Sequence, residues 1–281
     1  MQTKIIIAMH KPYKTPAESV YLPLQVGAEG KDSILGLVCD NTGENISAKN
    51  PTYCELTGLY WAWKNLDADA IGLVHYRRYF TGKSRSYRKA HANDLMDCVL
   101  TTAEAGDLME AYDIVVPTKR KYYIESLYSH YAHTLDAKHL DLAQEIIHSK
   151  CPEYDAACKK VYASTWGYMF NMCIMRRTYL DAYCKWLFPI LADLEDAMQD
   201  DLKSMSAFEA RLFGRVSEIL FNVWLLKEEE SKDAPRVKEV ATMHMEPVNW
   251  LKKGGAFLKA KFFGKNMEQV FDESKYYHCL L

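Results

Sequence analysis

Apolar runs of strand length alternate with a helical pattern along the first half of the chain. Residues 4–9 (KIIIAM), 70–74 (AIGLV) and 112–117 (YDIVVP) are such runs, and polar residues or proline bound them. Runs without strict alternation are typical of strands buried on both faces of a sheet. Residues 56–63 instead place apolar side chains at i, i+3, i+4 and i+7, which predicts a helix between the first two strands.

The second half of the chain is mainly helical in pattern. Residues 124–150 and 176–196 are predicted to be helices, and residues 206–226 form a longer helix with one apolar stripe. Residues 166–175 (WGYMFNMCIM) are predicted to be a strand pair or one extended segment, whereas the basic, polar residues 81–93 are predicted to be a surface loop. This order predicts an α/β fold on an open, mostly parallel sheet flanked by helices, with helical C-terminal additions.

Ligands of open α/β sheets bind beyond the carboxyl ends of the strands. In this sequence that rule indicates His10 and Lys11 after the first strand, the polar loop 40–50, residues 75–78 and the turn after Pro117. We therefore expect the functional site among these segments.

Composition narrows the classes of function. The 281 residues carry a net charge of −2, which argues against a nucleic-acid-binding protein. Nineteen Tyr and six Trp suit a protein that stacks rings on sugars or bases, although an aromatic-rich core is equally compatible. Eight cysteines without a CxxC pair indicate free thiols in a reducing cytoplasm. A signal peptide and an 18-residue apolar stretch are both missing from the pattern, which predicts a cytoplasmic protein.

The segment His75-Tyr76-Arg77-Arg78 has the strongest chemical signal. Two arginines directly after a buried strand suit a clamp for a diphosphate, because guanidinium groups bind phosphate oxygens in pairs and stabilise a departing diphosphate. A surface ion pair with one packed arginine is the alternative. Many nucleotide-sugar transferases carry an Asp-x-Asp that binds a metal at such a strand end. Here Asp67 and Asp69 precede the strand, so our hypothesis is that the arginines replace the metal, with no cofactor required.

A second polar constellation lies on the predicted helix 206–226. Arg211, Arg215, Glu218 and Asn222 share one stripe beside the apolar face. A transferase that inverts its sugar needs a carboxylate to take the proton of the acceptor hydroxyl, and Glu218 is a candidate for that base. An ordinary i, i+3 ion pair is an equally good interpretation.

Other patterns give weaker indications. His130 and His133 share a predicted helix face and His139 follows, but no further ligands at zinc-site spacing accompany them. Neither a Walker loop nor a GxGxxG pattern is present, which argues against kinases and dinucleotide enzymes. From Trp250 onward, lysines alternate with phenylalanines. That tail suits either the surface of an anionic membrane or a helix packed on the domain.

Several motifs together resemble the bacterial glycosyltransferases of capsular and exopolysaccharide synthesis, a family long catalogued as a domain of unknown function. The resemblance rests on residues 41–47 (NTGENIS), 50–64 (NPTYCELTGLYWAWK) and 71–80 (IGLVHYRRYF), and later on 166–171 and 211–218. It implies a GT-A-like domain, here residues 1–250 followed by the tail 251–281. It also implies transfer of a sugar to a lipid-linked oligosaccharide of a capsule, exopolysaccharide or O-antigen, with UDP-galactofuranose as the leading donor and UDP-galactose next.

The working hypothesis is an inverting, metal-independent transferase at the inner face of the cytoplasmic membrane. Arg77 and Arg78 hold the diphosphate, Glu218 is the base, and Arg211 and Arg215 lie on the acceptor side. The alternative is a non-catalytic carbohydrate- or nucleotide-sugar-binding subunit of a polysaccharide assembly complex. The donor-binding residues of the hypothesis are His10, Lys11, Asp40, Asn41, Thr42, Asn45, His75, Arg77, Arg78, Trp166 and Asn171.

Overall fold

The computed structural model describes residues 1–34 and 36–246, which form a mixed α/β fold with a large sheet between helices. The apolar runs of the sequence are its buried strands. The strands are β1 (Thr3–Met9), β2 (Tyr21–Gln25), β3 (Val38–Cys39), β4 (Ala70–His75), β5 (Arg78–Thr81), β6 (Ile114–Pro117), β7 (Arg120–Lys121), β8 (Trp166–Gly167), β9 (Cys173–Arg176) and β10 (Val237–His244).

The sheet is parallel in one half and mixed in the other. Strands β3, β2, β1 and β4 pair in parallel in that order. Strand β9 then runs antiparallel to both β4 and β6, and β10 pairs in parallel with β6 and antiparallel with β5. The prediction of a mostly parallel sheet therefore holds for the N-terminal half only. A short separate ribbon joins β7 and β8 in antiparallel.

Helices cover both faces of the sheet, so its strands are buried on both sides. Along β1, Ile6 packs into one core with Leu59 of α2, while Ile5 and Ile7 pack into the other core with Met109 of α4. The helices are α1 (Asn50–Tyr53), α2 (Leu56–Asn65), α3 (Arg85–Ala90), α4 (Thr102–Ala111), α5 (Leu127–Thr134), α6 (Lys138–Lys150), α7 (Asp155–Ala163), α8 (Arg177–Ala197), α9 (Gln199–Leu202) and α10 (Leu212–Glu229).

Three element predictions needed correction. The predicted loop 81–93 contains α3, which the side chain of Ser84 caps by accepting a hydrogen bond from the backbone of Tyr87. The predicted helix 124–150 is two helices, α5 and α6. The predicted long helix begins at Leu212, after a short 3₁₀ turn, rather than at residue 206.

The proposed tail, residues 251–281, lies outside the described residues, so the domain division at residue 250 stays a prediction. Within the described part, seven cysteines are free thiols. None of the helices described there is both long enough and apolar enough to cross a bilayer.

Candidate active site

A tight hairpin joins β4 to β5 and places the two arginines differently. His75 and Arg78 pair across it, with Tyr76 and Arg77 in the turn. Arg78 is only 5% exposed, and its guanidinium carbon lies 3.7 Å from the ring centroid of Phe170. Arg77 instead stacks over Tyr76 at 4.9 Å and pairs with Glu246 at 2.9 Å. Arg78 is therefore the interior arginine of the pair, and Arg77 lies nearer to solvent.

The turn Phe170–Asn171 connects β8 to β9 and meets this hairpin. Both residues have positive φ, 81° and 52°, a conformation that costs energy for residues other than glycine. The carbonyl of Phe170 lies 2.7 Å from His75 Nε2, and because a carbonyl only accepts, Nε2 carries the proton. Burial of the ring lowers the pKa of His75. The backbone N–H of Phe170 donates to the carboxyl of Glu218.

The Asn171 side chain holds a second carboxylate. Its Nδ2 donates to Glu55 Oε1 at 2.7 Å and to the carbonyl of Gly214 at 2.8 Å, while its Oδ1 accepts from Ser217 Oγ at 2.9 Å. These three bonds agree on the orientation of the amide. Glu55 directly precedes α2 and is half-buried. The consecutive residues Phe170 and Asn171 thus each hold one carboxyl group.

The sequence patterns do not single out Glu55, because it opens an apolar helix without a paired motif. Its one visible signal is that it is the acidic residue inside the family-like stretch 50–64. Two features place it in the site. Cys54 has φ 54°, which redirects the chain before the helix, and Gly214 lets α10 approach closely. A Cβ at Gly214 would lie 3.1 Å from Cys54 Cβ, which explains the glycine.

Glu218 is 8% exposed and projects from the middle of α10. Burial, followed by the negative charge of Glu55, raises the pKa of Glu218 to about 8. The bond from Phe170 and the charges of Arg78 and Arg120 oppose that shift. Its Oε2 is buried and has no hydrogen-bond partner in the described part of the chain. A substrate atom could occupy that unused position.

Positive charge surrounds the carboxyl end of β1. His10 packs edge-on against Tyr76 at 5.1 Å between ring centroids. Burial lowers the pKa of His10 to about 4, and the charges of Lys11, Arg77, Arg211 and Lys31 add to the effect. Lys11 Nζ lies 5.8 Å from the Tyr76 ring centroid. The neutral His10 ring therefore lies in a positive potential that would favour an anion.

Arg211 and Arg215 bring further positive charge to the start of α10. Arg211 Nε donates to Cys54 Sγ at 3.2 Å, and the guanidinium carbon of Arg215 lies 3.9 Å from the Phe208 ring centroid. Burial lowers the pKa of Arg215, and the nearby charge of Arg211 adds to that shift. Like charges held together in this way are stabilised when an anion binds between them.

The structure brings most of the predicted site residues to one edge of the sheet. They come from four separate segments: the carboxyl ends of β1 and β4, the turn before β9, and residues 211–218 at the start of α10. These residues form one cluster, whose members are His10, Lys11, His75, Arg77, Arg78, Asn171, Arg211, Arg215 and Glu218, together with the unpredicted Glu55.

Asp40 is in a different environment from that expected of a donor ligand. It is fully buried, and its two carboxylate oxygens accept hydrogen bonds from the backbone of Gly27 and Ala28 and from the hydroxyls of Ser47 and Thr57. Four protein donors occupy its acceptor sites. Asp40 therefore fixes the loops after β2 and β3.

The loop after Asp40 lies beside the C-terminal half of α2, whereas the cluster surrounds the start of that helix. Asn41 is exposed, Thr42 Oγ1 accepts from Trp61 Nε1 at 2.9 Å, and Asn45 Oδ1 accepts from the Ser47 backbone at 3.1 Å. These contacts stabilise the loop itself. The structure does not bring this loop to the cluster.

Trp166 lies on the outer face of the β7–β8 ribbon, with Lys119 Nζ 4.0 Å from its ring centroid. Side chains alternate along a strand, so Arg120 projects from the opposite face, where its charge acts on Glu218. Asn222 of α10 clamps this ribbon by bonding both the N–H and the carbonyl of Tyr168. Asn222 thus has a structural role, and Arg120 is an additional charged neighbour of the site.

The histidines of α5 are bound to a carboxylate. His130 Nδ1 and His133 Nδ1 lie 3.0 and 2.7 Å from the two oxygens of the buried Glu125. His139 Nδ1 lies 3.0 Å from the Tyr131 hydroxyl. Over residues 1–34 and 36–246, no three His, Cys, Asp or Glu side chains are grouped so that they could hold a metal ion.

Residues 4–229 match the model of a protein family described as "Domain of unknown function (DUF4422)". The chain belongs to this family. Its fold is also similar to a solved structure described as the WbbM bifunctional glycosyltransferase, with a TM-score of 0.76 and 30% sequence identity over 91% of this chain. The match covers 51% of that longer protein, so the DUF4422 chain spans about half its length. No curated protein gives a match.

Proposed function

We propose that this DUF4422 chain is a glycosyltransferase that moves a sugar from a UDP-sugar to a lipid-linked oligosaccharide. The observation that carries the proposal is the convergence of Arg78, Arg211 and Arg215 with Glu55 and Glu218 at the carboxyl edge of the sheet. The likeness to a bifunctional glycosyltransferase supports the same reaction class. The finer assignment, galactofuranose before galactose in surface polysaccharide synthesis, rests on the sequence resemblance.

The cations have a direct use in this reaction. When the bond between sugar and diphosphate breaks, negative charge develops on the departing diphosphate oxygen. Fixed guanidinium groups stabilise that charge without reorganising. Arg78 is well suited to this role because the Phe170 ring and the surrounding protein hold it in place. His10 and Lys11 would border the nucleotide, and Arg77 would reach the diphosphate after leaving Glu246.

The carboxyl groups have the complementary use. The acceptor hydroxyl must lose a proton as it attacks the sugar, and a carboxylate within reach is the usual base. The sequence indicated Glu218 for this role, and the fold adds Glu55 beside it. Direct attack on the face opposite the diphosphate inverts the sugar.

Replacement of Arg78 by Ala tests the diphosphate role. We expect Arg78→Ala to lower sugar transfer about a hundred-fold or more, because a fixed charge on the leaving group is lost. Arg77→Ala should have a smaller effect, since its charge is already shared with Glu246. The control is Arg85→Ala on the exposed helix α3. More than about a tenth of the wild-type rate in Arg78→Ala would refute the role, given that expected loss.

The shift in melting temperature on adding UDP, UDP-galactofuranose or UDP-galactose distinguishes a transferase from a carbohydrate-binding subunit. A transferase should be stabilised by UDP alone, whereas a carbohydrate-binding subunit should ignore it and respond to saccharides. Transfer in excess chelator then tests the proposed metal independence, and strict dependence on Mg²⁺ or Mn²⁺ would refute it.

A further inference from the structure

The two carboxyl groups of the site have unequal surroundings. Glu218 lies within α10, 8% exposed, with one oxygen bonded to the Phe170 N–H and the other buried without a described partner. Glu55 is half-buried at the N-terminal end of α2, where the helix dipole favours negative charge. A buried carboxylate with a single donor is poorly stabilised, so the neutral form is favoured at Glu218.

Charged and titratable groups from every neighbouring element act on Glu218. Glu55 and burial favour its protonated form, whereas Arg78 and Arg120 oppose it. Its charge also acts on Arg215 of its own helix. Burial and Glu55 prevail, and the pKa of Glu218 is raised to about 8. Burial raises the pKa values of the Tyr122, Tyr131 and Tyr183 phenols, and the negative charge of Glu218 adds to each of these shifts.

The backbone is strained at two residues that position Glu55. Cys54, directly before it, and Asn171, which bonds it, both have positive φ although neither is glycine. The Asn171 amide fixes Oε1 at 2.7 Å, and Gly214 and Ser217 fix the amide in turn. Backbone strain of this kind is common where a catalytic group must be held in position.

We propose that Glu55, and not Glu218, takes the proton of the acceptor hydroxyl, and that Glu218 acts in its protonated form as a hydrogen-bond donor to a substrate oxygen. This inference rests on the proposed function and reverses the sequence-based assignment of the base. The two carboxyls then have separate roles, set by their surroundings.

The acceptor O–H bond breaks and its proton passes to Glu55 Oε2, while the acceptor oxygen forms a bond to the anomeric carbon. The bond from that carbon to the diphosphate oxygen breaks, and its electron pair leaves with UDP. Glu55 returns the proton to solvent, and Glu218 keeps its own proton throughout.

Two isosteric variants distinguish the roles, because glutamine mimics a protonated glutamate but cannot accept a proton as a base. We expect Glu55→Gln to lower transfer at pH 7 about a hundred-fold or more, the usual contribution of a general base. Glu218→Gln should stay within about tenfold of wild type. An inactive Glu218→Gln beside an active Glu55→Gln would overturn the inference.

The pH profile gives a second, independent measurement. If neutral Glu218 is required, wild-type transfer falls as pH rises through about 8. Glu218→Gln should lose that descending limb. A base at Glu218 would instead make wild-type transfer rise up to about pH 8, which contradicts the proposal.

The pH dependence of folding stability shows whether Glu218 is protonated in the folded chain, and it needs no transfer assay. Between the ordinary glutamate pKa and about 8, the folded chain keeps a proton that the unfolded chain has lost. Stability conferred by this group is therefore full below that range and is lost as pH rises through it. We expect wild type to lose stability relative to Glu218→Gln over this range; a constant difference would overturn the protonated role.

Calorimetry of UDP binding to wild type, Glu55→Gln and Glu218→Gln separates failure of this inference from failure of the proposed function.

Discussion

Arg77 and Arg78 are adjacent in the chain but have different partners: Arg78 is buried against the Phe170 ring, and Arg77 pairs with Glu246. The pair Arg77-Arg78 stood out as an unusual strand end, and the structure places both at the predicted edge. Their difference was not predictable, because it depends on Phe170, more than ninety residues away along the chain, and on Glu246. The sequence does not identify Glu55 as a site residue for the same reason, because its partner Asn171 follows it by 116 residues.

Asp40 can be tested by substitution, because two roles have been assigned to it. The sequence predicts that it binds the donor, whereas in the fold the hydrogen bonds of its carboxylate are all to neighbouring loops and to Thr57. Asp40→Asn replaces one acceptor oxygen by an NH₂ group that faces backbone or hydroxyl donors. We expect a loss of roughly 1–3 kcal/mol in the free energy of unfolding, the cost of unsatisfied buried polar groups. Denaturant unfolding measures it.

The exposed Asp32→Asn is the matched control for that experiment and should leave stability unchanged. UDP affinity is measured on both variants under conditions in which both are folded. Normal stability of Asp40→Asn together with weakened UDP binding would restore Asp40 to the donor site.

At the scale of elements, buried strands and amphipathic helices were predictable because their apolar pattern is local. Strands β1, β4 and β6 and helices α2 and α8 follow the predicted segments closely. Helix α3 has no buried residue, so its sequence predicts a loop, because the cap at Ser84 is a weaker signal than an apolar stripe. The split between β8 and β9 depends on positive φ at Phe170 and Asn171, which sequence does not reveal for such residues.

Two glycines in regular elements should respond oppositely to alanine. A Cβ at Gly72, in β4, would lie 3.0 Å from the carbonyl oxygen of Cys173 and 3.0 Å from Ile174 Cγ1. Because β4 lies between β1 and β9, neither neighbour can move freely. Gly72→Ala should therefore destabilise the fold by about 1–3 kcal/mol in denaturant unfolding.

Gly106, inside α4, provides the opposite case, because a Cβ there meets no atom within 4 Å. Gly106→Ala should stabilise the fold by about 0.5–1 kcal/mol, the intrinsic helix preference of alanine over glycine. Equal effects of the two substitutions would show that packing around β4 is looser than the contacts indicate.

On the scale of the whole molecule, the site is assembled from segments spread between residues 10 and 218. The rule that ligands bind at the carboxyl ends of strands indicated His10 and the 75–78 segment correctly as neighbours. It could not include β9, which runs antiparallel and contributes its preceding turn to the same edge. The rule also includes the loop after β3, which is parallel to β2, but the contacts of that loop lie along the C-terminal half of α2. A donor-binding role for the loop therefore stays a prediction.

The basic tail carries the last prediction, which rests on sequence because the tail lies outside the described residues. Five of the six lysines of residues 251–281 lie within residues 252–265, which also contain three phenylalanines. Each lysine near an anionic bilayer contributes about 1 kcal/mol of attraction. We replace all five by glutamine in the full chain: Lys252, Lys253, Lys259, Lys261 and Lys265. Flotation with vesicles that contain phosphatidylglycerol measures the effect.

Wild type should bind these vesicles in a salt-sensitive manner, and the five-glutamine variant should lose that binding while its UDP affinity is unchanged. The separation is expected because the proposed site consists of residues that precede the tail, from His10 to Glu218. Neutral phosphatidylcholine vesicles are the control, since charge attraction has no anionic partner there. Undiminished binding of the variant to anionic vesicles would place membrane contact elsewhere on the molecule, whereas a parallel loss of UDP affinity would connect the tail to the site itself.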